Sequence, residues 1–190
     1  KYSYKSGETF NYIIFYEHTA SAYYLMNKYD SALVICKNSM NLFKEHGYIK
    51  ESYDAMPTFI MILIKQDRLQ EAKSYIKDYE TNSNLFNNNG HIQKGKELYY
   101  YIKGIYNLKL AELDSSVYYF RKLLDNANNY NRKESAYEGL LKVYQEIGEN
   151  DSVAKYAKLY CEINDSAQIK LATIETVKHE ALYNYSRNKL

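Results

Sequence analysis

The chain has 190 residues, and its 25 basic and 23 acidic side chains leave a net charge of +2, a balance that marks neither a nucleic-acid surface nor a site for an acidic ligand. One Pro and seven Gly leave few breakers, which suits a nearly all-helical chain, and the length suffices for one domain or solenoid with a sizeable core. The sequence shows no signal-peptide pattern and no apolar run near the roughly 18 residues that suggest a membrane helix, so this segment is expected to make no membrane contact.

Residues 1–7 read as a frayed lead-in ended by Gly7. A first helix is predicted from Glu8 to Met26, with Phe10, Ile13, Tyr16, Ala20 and Tyr23 near its packing side. A short turn at Asn27-Lys28 leads into a second helix from Tyr29 to Glu45, where Ala32, Leu33, Cys36, Met40 and Phe43 form an amphipathic stripe. The third helix lies between Lys50 and Lys65 and is expected to kink at Pro57, with a start near Ala55 as the alternative. The fourth follows Asp67, with Leu69, Ala72, Ile76 and Tyr79 as its stripe. An Asn-rich stretch from Thr81 to Gly90 is the longest loop, and Asn supplies turn chemistry there. Further helices are expected at Ile92–Ala111, Asp114–Asn126, Lys133–Ile147 and Asp151–Ile163. Asp165 with Gln168 has the form of a capping box opening a ninth helix, whose stripe would be Leu171, Ile174, Val177, Ala181 and Tyr185. Its near half would cap the fourth pair, and its far half would project, pairing with a second copy of itself or passing a movement to whatever follows.

Four of these helices open alike: Tyr29-Asp-Ser-Ala, Leu69-Gln-Glu-Ala, Leu113-Asp-Ser-Ser and Asn150-Asp-Ser-Val-Ala, at intervals of 40, 44 and 37 residues. A period in this range is the mark of stacked helix pairs. Counting back from Tyr29, Tyr16, Ala20 and Tyr23 occupy large, small and aromatic offsets. The third copy matches with Tyr100, Gly104, Ser116 and Phe120, and the fourth with Tyr137, Leu141, Tyr144 and Ala157. The second is weakest, with Met56, Ile60, Leu63, Ala72 and Ile76, and no copy has a closing Pro. With these residues the chain resembles the tetratricopeptide repeat over residues 8–163. The resemblance implies an all-α, right-handed superhelix of about four helix pairs plus a long C-terminal helix. Ala32, Ala72 and Gly104 should then sit at close helix–helix contacts.

In that family the first helix of each pair lines a concave groove. The matching positions are Glu17, Ser21 and Tyr24; Pro57, Met61 and Ile64; Tyr101, Ile105 and Leu108; and Glu138, Lys142 and Gln145. The apolar middle, with Tyr24 and Lys142 flanking it, suits a protein or peptide partner, unless the chain's own segments bury it. Glu17 and Ser21 stand where family members that bind chaperone tails begin their carboxylate clamp, so that partner is not expected.

Nothing points to catalysis, a cofactor or a metal. The four His are scattered without ligand spacing, no phosphate loop or GxSxG is present, and Cys36 and Cys161 are both expected as buried thiols. Lysines alternate with acids, as on solvated faces, so this segment is not expected to bind nucleic acid. Twenty-four Tyr and no Trp fit thin two-layer packing. The Tyr/Asn/Lys-rich repeats with long links resemble extracytoplasmic regions of Bacteroidetes membrane-anchored signalling proteins. That resemblance implies a non-enzymatic sensor or interaction module on the periplasmic side, as part of a longer protein. A free-standing cytoplasmic adaptor is the alternative.

Overall fold

A helix with apolar residues along one side has to bury that side, and here each first helix buries it against the helix that follows. The computed structural model describes the backbone of residues 2–187, and side chains over 7–166 and at 168, 169 and 178. Among the described residues the protein is all-helical: α1 (Tyr2–Leu25), α2 (Tyr29–Glu45), α3 (Met56–Lys65), α4 (Leu69–Asn82), α5 (Leu98–Lys109), α6 (Leu113–Asp125), α7 (Tyr130–Ile147) and α8 (Asn150–Arg187). One 3-10 turn, Glu51–Tyr53, precedes α3. The helices pack as consecutive pairs, α1 with α2, α3 with α4, α5 with α6 and α7 with α8. The first members also touch in a row, α1 on α3, α3 on α5 and α5 on α7.

The turns inside the four pairs are one turn built four times. The residue two places before each second helix has positive φ: Asn27 at 56°, Asp67 at 56°, Ala111 at 58° and Gly148 at 79°. The next amide then reaches back five residues: Lys28 to the Tyr23 carbonyl (2.9 Å), Arg68 to Leu63 (2.9 Å), Glu112 to Asn107 (2.9 Å) and Glu149 to Tyr144 (3.2 Å). This is a left-handed helix cap that satisfies carbonyls the ending helix would leave free.

Several boundaries differ from the sequence expectation. Helix α1 runs through Gly7 to Tyr2, because a lone Gly weakens a helix without ending it. The kink at Pro57 is absent: α3 starts at Met56 and places the proline in its first turn, where the missing N–H costs nothing. Helix α5 starts at Leu98, not Ile92, since Ile92 pairs with Phe86 in an isolated antiparallel bridge and Gly95 takes a φ of 91°. Asn87 organises that link, its side-chain oxygen accepting from the amides of Asn89 and His91 at 3.0 Å each. Asn129 caps α7 by accepting from the Arg132 amide at 2.9 Å, which moves its start to Tyr130. Among the described residues there is no ninth helix. The hydroxyl of Ser166 donates back to the Glu162 carbonyl at 2.8 Å and α8 continues unbroken to Arg187, 38 residues or about 57 Å long. The stripe expected at Leu171, Ile174, Val177, Ala181 and Tyr185 lies outside the described side chains.

Two apolar clusters fill the interior. One runs from α1 through α5 around Phe59, Ile60 and Leu63, and the other joins α5 to α8 around Phe120, Leu140 and Val143. Ala32 and Ala72 are fully buried, as the register requires. At Gly104 an added Cβ would meet the Phe120 ring at 2.6 Å, and at Gly139 the same ring at 2.3 Å. The close approach on α7 is therefore Gly139, and Leu141 in the fourth copy is only half-buried. Of the two cysteines, Cys36 is buried as expected but Cys161 is exposed on α8.

Candidate functional site

The row α1–α3–α5–α7 carries the residues that the sequence singles out. Met61 (8 % exposed) and Ile64 (2 %) belong to the first cluster, so they support the face from beneath. Tyr101, Ile105 and Leu108 are half-buried: Tyr101 and Ile105 pack against both clusters and Leu108 against the second. Tyr24 comes from α1 and lies close enough to Tyr101 on α5 and to Glu138 on α7 for their charges to act on one another. Burial, with Tyr29 and Glu138 adding, pushes the Tyr24 phenol up to about 12, and burial also raises Tyr101. Both phenols therefore stay neutral and serve as hydrogen-bonding edges on an apolar wall. Lys142 is spent locally in an ion pair with Glu138 one turn earlier.

Beside this wall a cleft of about 470 Å³ opens between α1, α3, α4, the 94–98 stretch and α7. Glu17 and Ser21 of α1 line it, with Pro57 and Thr58 of α3, Tyr79 of α4, Lys94, Lys96 and Leu98, and Arg132 of α7. Three of these, Glu17, Ser21 and Pro57, occupy groove positions expected from the repeat register. Asp54 joins them from the segment before α3. Lys96 is anchored: it donates to the Ser83 carbonyl at 2.8 Å, stands 3.8 Å from Asp54, and lies over the Tyr79 ring. Burial raises the Asp54 carboxyl, and Lys96 partly offsets this.

Glu17 and Arg132 are less well provided for. The Glu17 side chain is only 13 % exposed, and the neighbour that faces it at 3.4 Å is His18, itself 71 % exposed. Burial therefore pushes the Glu17 carboxyl above its ordinary range. Arg132 is half-buried, and among the described residues its guanidinium makes no hydrogen bond or ion pair. Burial lowers its pKa, with Glu97 and Tyr79 opposing from a distance.

Comparison of the chain with protein-family models, with characterised proteins and with solved structures finds no match in any of the three. What the site can do rests on its own chemistry. Among the described residues no three His, Cys, Asp or Glu side chains gather as a metal site would need, and no helix is long and apolar enough to cross a membrane. The Cys36 thiol is raised to about 12 by burial, with Glu17 adding, and stays protonated at neutral pH. Sequence reasoning missed Arg132, Lys96, Tyr79 and Asp54 as partners in one cleft. They arrive from separate elements, and no local spacing announces that meeting.

Proposed function

We propose that the chain is a tetratricopeptide-like, right-handed superhelix that binds a peptide or protein partner on the side formed by α1, α3, α5 and α7, with no chemistry of its own. The observation that carries this reading is the single turn repeated at Asn27, Asp67, Ala111 and Gly148. One repeated turn gives each pair the same internal geometry, and stacking such pairs generates a curved face. On that face Tyr24, Tyr101, Ile105 and Leu108 supply apolar anchors and the adjoining cleft supplies charge, the division of labour common in peptide recognition. The resemblance to extracytoplasmic regions of membrane-anchored signalling proteins is the ground for placing this module on that side of such a protein, with its partner as the signal.

Selection of a random peptide library on the 190-residue chain tests the binding reading. Enriched peptides are expected to bind with micromolar affinity, and Leu108→Asp and Tyr101→Ala to weaken them at least tenfold. Failure to enrich any peptide, or binding indifferent to both substitutions, would overturn it. Reading the gene on either side of the segment tests the placement: a span of about 20 apolar residues is expected, and an open frame without one refutes it.

A further inference from the structure

Among the charged groups that line the cleft, which also include Lys94 and the paired Asp54 and Lys96, Glu17 and Arg132 are the two withdrawn from water without a close ion pair of opposite charge from another element, among the described residues. Glu17 is largely withdrawn from water with an exposed His18 beside it, while Arg132 is half-buried and, among the described residues, has no carboxylate in hydrogen-bond or ion-pair contact with its guanidinium, Glu97 acting on it through its charge alone. They come from different helix pairs, α1 and α7, and both line the same 470 Å³ space. Withdrawing a charge from water without a direct partner is costly, and two such charges of opposite sign lining one cavity suit a ligand that carries both.

We propose that this cleft takes a small zwitterion, the unblocked end-to-end frame of a short peptide, with its ammonium group on Glu17 and its carboxylate on Arg132; this assignment rests on the peptide-binding reading above. A guanidinium offers a carboxylate two parallel N–H donors, which gives that end its orientation. Ser21, Thr58 and Tyr79, whose side chains carry hydroxyls, line the same cleft. Asp54 and Lys96 hold each other and set the wall. The volume falls within the roughly 300–1,000 Å³ of small-ligand sites, which admits a few residues and excludes a helix.

Native mass spectrometry of the 190-residue chain with an equimolar mixture of unblocked tripeptides tests this, beside the same mixture N-acetylated and the same mixture C-amidated. Adducts are expected from the unblocked mixture, with occupancy at least tenfold lower for either blocked one. Glu17→Gln should abolish the penalty for N-acetylation alone, and Arg132→Gln the penalty for C-amidation alone. Arg132→Lys keeps the charge without the fork and should restore part of the preference for a free carboxylate. A general disturbance of the fold would lower all three mixtures together, and that result overturns the assignment. So do equal occupancies in the three mixtures, or no adduct at all. A library-selected peptide that depends on Leu108 yet ignores both end groups would sink the zwitterion site while leaving peptide binding intact.

Discussion

The Phe120 ring is wedged between two glycines, and this contact tests the repeat register at single-residue scale. Gly104 and Gly139 each place their backbone where a Cβ would overlap the ring, which is fully buried. Ser116 closes the same contact by donating its hydroxyl to the Gly104 carbonyl at 2.8 Å. Gly104→Leu is therefore expected to cost on the order of 1–3 kcal/mol by overpacking. A lowered urea midpoint checks this, and an unchanged one would mean the ring has room. Glu17 gives a prediction of the opposite sign. Burial raises its carboxyl above the ordinary 4.5, with His18 opposing and Asp54 adding. The folded state thus holds the proton more tightly than the unfolded chain. The stability linked to that proton is complete below about pH 4.5 and is lost as pH rises through the folded value. Gln cannot ionise, so Glu17→Gln should raise the urea midpoint at pH 7, and the gain should shrink as the pH approaches 4.5. A gain that is constant with pH would assign the effect to something other than the buried charge.

At the scale of elements, the turns decide what could be read in advance. The openings at Tyr29, Leu69, Leu113 and Asn150 are the observed first residues of α2, α4, α6 and α8. They were legible because the turn is local: its cap bond spans five residues, and a positive-φ residue, a polar residue and the helix start follow in order. Two boundaries were not legible, although they too are local, because the residues there suit more than one conformation: Ile92 suits a helix stripe but pairs with Phe86 ahead of α5, and Asp165 suits a cap but lies inside α8, where the Ser166 hydroxyl bonds back to Glu162. The cleft was half legible, with Glu17, Ser21 and Pro57 in register and Arg132 not. The turn also carries paired predictions. Ala111 holds φ at 58°, where an L side chain crowds its own backbone, while Gly148 holds 79° at the equivalent place without strain. Ala111→Gly should stabilise by about 0.5–1 kcal/mol and Gly148→Ala should destabilise by about 1 kcal/mol, both read from thermal unfolding. Two shifts of the same sign would show that the four turns are not equivalent.

For the whole molecule, the residues that the two apolar clusters share, among the described residues, are Tyr101 and Ile105 of α5. Helices that touch mainly their neighbours should unfold as semi-independent units coupled by such interfaces. Phe120→Ala removes the centre of the second cluster and is expected to cost about 3–5 kcal/mol. The loss should appear as faster amide hydrogen exchange in α6 and α7, intermediate in α5 and smallest in α2 and α3. Uniform acceleration along the chain would mean one cooperative core, and the clusters would then be a division without energetic content. The gradient also bears on binding, because the cleft draws Glu17 from α1 and Arg132 from α7. If α7 opens locally, the first-cluster wall of the cleft persists while its guanidinium departs. In Phe120→Ala the discrimination against C-amidated peptides should therefore fall before that against N-acetylated ones. The opposite order would place the carboxylate on some group other than Arg132.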